Sequence, residues 1–399
     1  MMPSSRSLNN LAFALLLAFL FFIDISIAAC YILITLVLLL FLLHLLRGGK
    51  FPRPPFFSYF FAAYIFFSLL ATVFSVDRAA SIRDNKELLI FLLIPLYLWL
   101  LDSWKRTRLS LGVVLAAGVF SSLIGIGAVL SKGLAKGVVL SDRLKGFTSH
   151  WMTYSGLLLF PFIFFSVLLL LGRPRKQAMV LSGALALIFT AIAFSLTRNV
   201  WLGIGVALAL FFVFFKPKYL LALAPLLLAL AWLAPAPVKS RVLSIVDLND
   251  SSNRERIYMV YSGLKIFHDH PWTGVGSNNI YKVLTADPAR YAHPQSRQVP
   301  MHLHSNFMQI LAERGVFTLA SFLLASLFVI LQLLKMLRSA TGDQRAIAAG
   351  VLFTFIGFMI AGLFEYNFGD SEIKFILLYF LCLPFLKRSG EEHAQIEAH

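Results

Sequence analysis

Cysteine and acid are both scarce in this chain. The only two cysteines among 399 residues, Cys30 and Cys382, sit inside apolar runs, so no disulfide framework is indicated. Charged residues make up 14% of the sequence and hydrophobic residues 59%, with 39 Phe, a composition that excludes an ordinary water-soluble domain. There is no phosphate-binding glycine loop or dinucleotide fingerprint, because the stretch GVGSNN at 274–279 has neither the lysine nor the strand context. The histidine pair His302 and His304 stands two apart, with no cysteine or carboxylate cluster beside it. No metal site is expected there.

What is present is apolar sequence in long runs. Twelve candidates lie at roughly 8–27, 28–46, 57–75, 88–101, 109–130, 151–171, 177–196, 199–215, 219–234, 315–337, 345–364 and 372–386. Most approach the ~20 residues that a helix needs to cross ~30 Å of hydrocarbon. The first run follows Arg6, lacks a convincing cleavage site and is read as a retained helix. An even number of spans puts both termini on one side. Short loops rich in Lys and Arg mark that side as cytoplasmic: Arg47, Lys50 and Arg53; Lys105, Arg106 and Arg108; Arg173, Arg175 and Lys176; Lys216 and Lys218. Other cations, among them Arg83, Arg143, Lys145 and Arg198, fall at the opposite mouth, where they are either solvated loop charges or the setting for an anionic ligand.

One connection, from Ala234 to about Leu303, is far longer than the rest and too apolar for a linker. Within it, NRERIYMVYSGLKIFH at 253–268 places apolar residues at 257, 260, 264 and 267, which predicts a helix capped by Ser252 or Asn253. The stretch HPWTGVGSNN then supplies a turn. Where the loop returns to the membrane, His304 is read either as a hydrogen-bonded structural histidine or as a base that takes a proton from a hydroxyl. Arg198, in SLTRNVWLG, either snorkels to the interface or is held by a partner or phosphate. The segment DRLKGFTSHW adds Arg143, Lys145 and His150.

Together these motifs resemble a known family. HSNFMQILAERGVFT, at 304–318, reads His-Ser, nine residues, Gly, two residues, Thr, which is similar to the histidine signature of O-antigen ligases in the O-antigen ligase and polymerase superfamily. RERIYMVYSGLKIFHDHPWTGVG, TRNVWLG and RLKGFTSH extend the likeness. The resemblance implies an all-α integral membrane protein of about twelve transmembrane helices with one large periplasmic loop containing helices. Its parts would be spans 1–9 at 1–233, the loop at 234–303, a catalytic-motif helix with spans 10–12 at 304–388, and a cytoplasmic tail at 389–399. It also implies an inverting, metal-independent glycosyltransferase of a Gram-negative inner membrane with no cofactor. The donor would be O-antigen glycan on undecaprenyl diphosphate and the acceptor the lipid A-core oligosaccharide, among membrane lipids and with no nucleic acid. By position, His304 matches the family's essential histidine, Arg198 its arginine at the periplasmic end of the spans, and Arg256 the arginine opening the loop helix, with Arg254 a competing alignment. Arg143 and Arg83 join the diphosphate candidates, Lys145 and His302 are further possible contacts, and Thr318 ends the motif as an allowed variant. The rivals are an O-antigen polymerase, a protein-directed ligase and, from another class, a transporter of lipid-linked glycans. The short tail EEHAQIEAH favours a lipid acceptor.

Overall fold

The computed structural model describes residues 5–136, 143–219 and 236–386, and every regular element among them is helical. The chain runs α1 (Ser5–Phe22), α2 (Ile27–Leu46), α3 (Phe57–Val73), α4 (Arg78–Asn85), α5 (Leu93–Leu100), α6 (Trp104–Lys136), α7 (Trp151–Leu170), α8 (Arg175–Phe194) and α9 (Arg198–Phe215). It continues through α10 (Ala236–Leu243), α11 (Ser251–Asp269), α12 (Ile280–Ala286), α13 (Pro288–Tyr291), α14 (Asn306–Ser339), α15 (Gly342–Ala361) and α16 (Ser371–Cys382).

Seven described helices, α2, α6, α7, α8, α9, α14 and α15, are long and apolar enough to cross a membrane, and α1 and α3 are apolar but shorter. The expected fourth span, 88–101, is instead a half-buried 3-10 stretch, Lys86–Leu92, running into the buried, eight-residue α5. The expected twelfth is the buried α16, closed by a 3-10 turn at Leu383–Phe385 that contains Pro384. The expected span at 219–234 and the tail at 389–399 lie outside the described residues.

Burial sorts the bundle into centre and rim. Of the apolar windows of α7 and α15, 83% and 67% are buried, against 22% for α2 and α8. The rim helices turn Ile32, Met179 and Val180 outward, an apolar surface suited to lipid. At the centre, a Cβ on Gly203 of α9 would stand 2.5 Å from the Gly357 carbonyl oxygen of α15, so these backbones meet through small residues.

Between α9 and α14 the described residues 236–305 carry α10 to α13, none of which is among the helices long and apolar enough to cross a membrane. Asp250 caps α11 by accepting from the Asn253 amide, so the cap falls earlier than Ser252 or Asn253. The helix also buries a face other than the apolar stripe in the sequence. Met259, Ser262, Gly263 and Ile266 pack inward, while Ile257, Val260 and Leu264 are exposed. Met259 and Ile266 join Val275, Ile280, Leu284 and Leu303 in a small separate core.

The turn at 271–276 has a definite task. α14 breaks at Gly315 (φ 77°, ψ 179°), which strips helical partners from nearby peptide groups. The Val275 and Gly276 amides take up the Ala312 and Glu313 carbonyls at 3.0 and 2.8 Å, and the Val316 amide donates to the Pro271 carbonyl at 3.0 Å. Arg314 bonds Asn85 and Asp84 of α4 at 2.8 and 3.1 Å. The break thus locks the segment between α9 and α14 to the bundle.

The conformation at Gly315 belongs to glycine, and an added Cβ would meet the Trp272 carbonyl oxygen at 2.1 Å. Gly315→Ala is therefore predicted to cost at least ~1–3 kcal/mol, read as a lowered melting temperature in detergent. Gly183→Ala, where a Cβ would meet nothing within 4 Å, should leave stability unchanged or slightly raised.

Candidate active site

The site is assembled where α14 begins. Ser305 caps the helix, and Asn306, fully buried, donates its amide to the Gly362 carbonyl at 2.8 Å. The Asn306 side chain donates to Asn367 at 2.7 Å and accepts from the Phe368 amide at 2.9 Å. These bonds hold the α15–α16 connection against the residues preceding α14. Glu365 in that connection consequently lies beside His304, with Nδ1 and Oε2 2.8 Å apart.

His304 has φ 45°, an uncommon backbone state for a residue with a side chain and one that concentrates at functional sites. Its side chain is 26% exposed and that of Glu365 is 10%. Burial acts to raise the Glu365 carboxyl, but the His304 hydrogen bond and the His304, His302 and Arg256 charges outweigh it and hold it below the usual range. An ionised carboxylate only accepts hydrogen bonds, so neutral His304 carries its proton on Nδ1. Its Nε2 lone pair is then left free.

The His302 ring stands 4.3 Å from that of His304, centroid to centroid, and its Nδ1 is buried without a partner. Burial, followed by the His304 charge, lowers the His302 pKa. Donor atoms of His302, His304 and Glu365 all lie within 4.8 Å of one another. Sequence reading found no carboxylate beside the histidines because Glu365 is 61 positions away, and folding supplies it. The 2.8 Å contact between His304 and Glu365 has the length of a charge-assisted hydrogen bond and is closer than two donors of a tetrahedral zinc would stand.

Two cavities meet at His304. The first, about 360 Å³, includes Arg256, Arg297, Ser252 and Gln298 in its lining, with Glu255 its one carboxylate besides two guanidiniums. Arg256 donates to Ser252 Oγ at 3.3 Å, while its Nε is buried without a partner. Behind it lie more cations. Arg198 is 7% exposed, donates to Ser244 O and Oγ at 2.7 and 2.9 Å, and pairs with Asp250 at 3.1 Å. Arg241, which sequence reading passed over, donates to the Leu196 carbonyl at 3.3 Å. Its pKa is pushed down to about 10 by burial and by the Arg198 and Arg143 charges. Arg143 lies over the Trp151 ring at 4.6 Å, and burial and Arg198 lower its pKa. Arg198, Arg241, Arg143 and Arg256 thus form one mutually repelling cluster beside Asp250.

The second cavity, about 630 Å³, has the opposite character. His150, His302, Asp84, Thr153, Glu365 and Asp370 are among its walls. Thr153 donates to Asp370 at 2.8 Å, and burial pushes the Asp370 carboxyl up to about 7. His150 caps α7 through Nδ1. Of the remaining expected site residues, Arg83, Lys145 and Arg254 are exposed and line neither cavity.

Residues 183–323 match a family model described as O-Antigen ligase, a stretch that contains Arg198, Arg241, Arg256 and His304. No curated protein matches the chain.

Because folding depresses the Glu365 pKa, its ionised form contributes stability above the unfolded carboxylate range, ~4.3, and loses it as pH falls through the lower folded value. The stability difference between wild type and Glu365→Gln is predicted to be present while Glu365 is ionised. It should shrink below about 4 in thermal unfolding at each pH.

Proposed function

We propose that this chain, whose residues 183–323 match a family model described as O-Antigen ligase, transfers O-antigen glycan from undecaprenyl diphosphate to a sugar hydroxyl of the lipid A-core oligosaccharide. The reaction takes place at the periplasmic face of a Gram-negative inner membrane, with both termini cytoplasmic. The observation that carries this reading is the position of His304, its Nδ1 held by Glu365, on the boundary between a basic cavity and an acidic one.

The basic side takes the leaving group and the acidic side the acceptor sugar. The acceptor oxygen attacks the anomeric carbon as His304 Nε2 removes its proton. The bond from that carbon to the diphosphate oxygen breaks, and the electron pair leaves on the diphosphate. Attack from the face opposite the leaving group inverts the anomeric configuration. Glu365 keeps the imidazole in the required tautomer and stabilises the imidazolium that forms, as a carboxylate does behind a catalytic histidine.

Arg256 lines the basic cavity, has a buried Nε without a partner and is the foremost diphosphate ligand. Arg198, already occupied by Ser244 and Asp250, holds the segment that carries Arg241 and Arg256 and adds positive charge behind the phosphates. Fixed cations of this kind stabilise charge that grows as the bond breaks. Arg143 and Arg241 complete the field.

The decisive assay combines purified protein, undecaprenyl diphosphate-linked glycan and lipid A-core. His304→Ala should lower transfer by about 10²- to 10⁴-fold in folded protein, and Arg256→Gln should weaken donor use while leaving the melting temperature near wild type. Near-wild-type transfer by His304→Ala would refute the general-base role. Product formed only on a second lipid-linked glycan, never on lipid A-core, would identify a polymerase.

A further inference from the structure

At the end of the bundle opposite His304, a second basic region remains without a role. α7 and α15 place their His304-side ends at Trp151 and Ala361 and their other ends at Leu170 and Gly342. At 20 residues each, these helices separate the two ends by about 30 Å. A cavity of about 670 Å³ opens there between α6, α7, α8 and α15. Its deeper walls are apolar, with Leu111, Phe165, Leu168 and Ile347, and Val180, 69% exposed, opens it sideways toward the bilayer.

Above those walls stand Arg108, Arg173 and Lys176, with Asp343 the sole carboxylate in the lining. Asp343 is shared by two guanidiniums, Arg108 at 3.1 Å and Arg173 at 3.2 Å. An adjoining cavity of about 420 Å³ shares Arg173 and Asp343 and adds Lys216 and Arg345. Among the described residues, five cations therefore surround one carboxylate at the mouth of an apolar slot. The Arg108 guanidinium also lies 5.5 Å from the Trp104 ring centre, on a residue type that favours the headgroup level.

We propose that this slot binds one anionic glycerophospholipid from the leaflet opposite the reaction. The phosphate bridges Arg173, Lys176 and Arg108, and an acyl chain lies along Leu111, Leu168 and Val180. The charge excess selects an anion and the apolar slot beneath it selects an amphiphile over a free ion. The bound lipid tethers α6, α8 and α15 at the end away from the chemistry.

The test is native mass spectrometry of the full chain in detergent with equal amounts of dioleoyl phosphatidylglycerol and dioleoyl phosphatidylcholine. Wild type should retain one phosphatidylglycerol with at least ten-fold preference, and millimolar inorganic phosphate should not displace it. Arg108→Gln with Lys176→Gln should reduce the preference below three-fold. Both side chains are exposed, so the fold is not at stake. Equal retention of the two lipids, an unchanged preference in the double variant, or displacement by inorganic phosphate would each overturn the proposal. None of these readouts uses glycosyl transfer, so the outcome is independent of the catalytic reading.

Discussion

Asn306 makes the contact on which the site depends. In a core this apolar, a buried amide without partners costs several kcal/mol. Asn306 satisfies its own backbone and side chain against Gly362, Asn367 and Phe368, and in doing so fastens the start of α14 to the α15–α16 connection. Glu365 reaches His304 only because that connection is fixed. The His304–Glu365 hydrogen bond is therefore a consequence of a neutral, fully buried junction.

A second constraint comes from the break in α14. Gly315 interrupts the helix, and the loop after α11 supplies the missing hydrogen bonds at Ala312, Glu313 and Val316. The same loop segment that repairs the helix belongs to the stretch between α9 and α14 that carries Arg241 and Arg256. Packing on one side and the Arg198–Asp250 pair on the other thus set how far the arginine cluster stands from His304. The result is an uneven distribution of charge across one imidazole: Arg256 and Arg297 outnumber the single carboxylate of Glu255 in the 360 Å³ cavity, while Asp84, Glu313, Glu365 and Asp370 line the 630 Å³ one.

Much of this was legible in the sequence. Long apolar runs placed most of the helices, and the spacing from His304 to Gly315 and Thr318 singled out the histidine. Short-range pattern failed wherever the deciding partner is distant in the chain. Glu365 and Arg241 stand in no local motif with His304 or Arg198, so their roles appear only once the chain is folded. The stripe on α11 misled for a related reason: amphipathic periodicity identifies a helix but not which face packs, and small Ser262 and Gly263 let that side approach Leu303 and Met308. The 3-10 stretch ahead of α5 and the Pro384-containing turn after α16 divide two apolar runs that composition alone presents as continuous spans.

The central claim is that His304 acts from the boundary between the two cavities, with the diphosphate on the arginine side. A cryo-EM structure with a non-transferable undecaprenyl diphosphate sugar tests this most directly. The account predicts phosphate oxygens within hydrogen-bonding reach of Arg256 and the anomeric carbon on the His304 Nε2 side, with Glu365 still on Nδ1. Diphosphate seated instead among Asp84, Thr153 and Asp370 would contradict it.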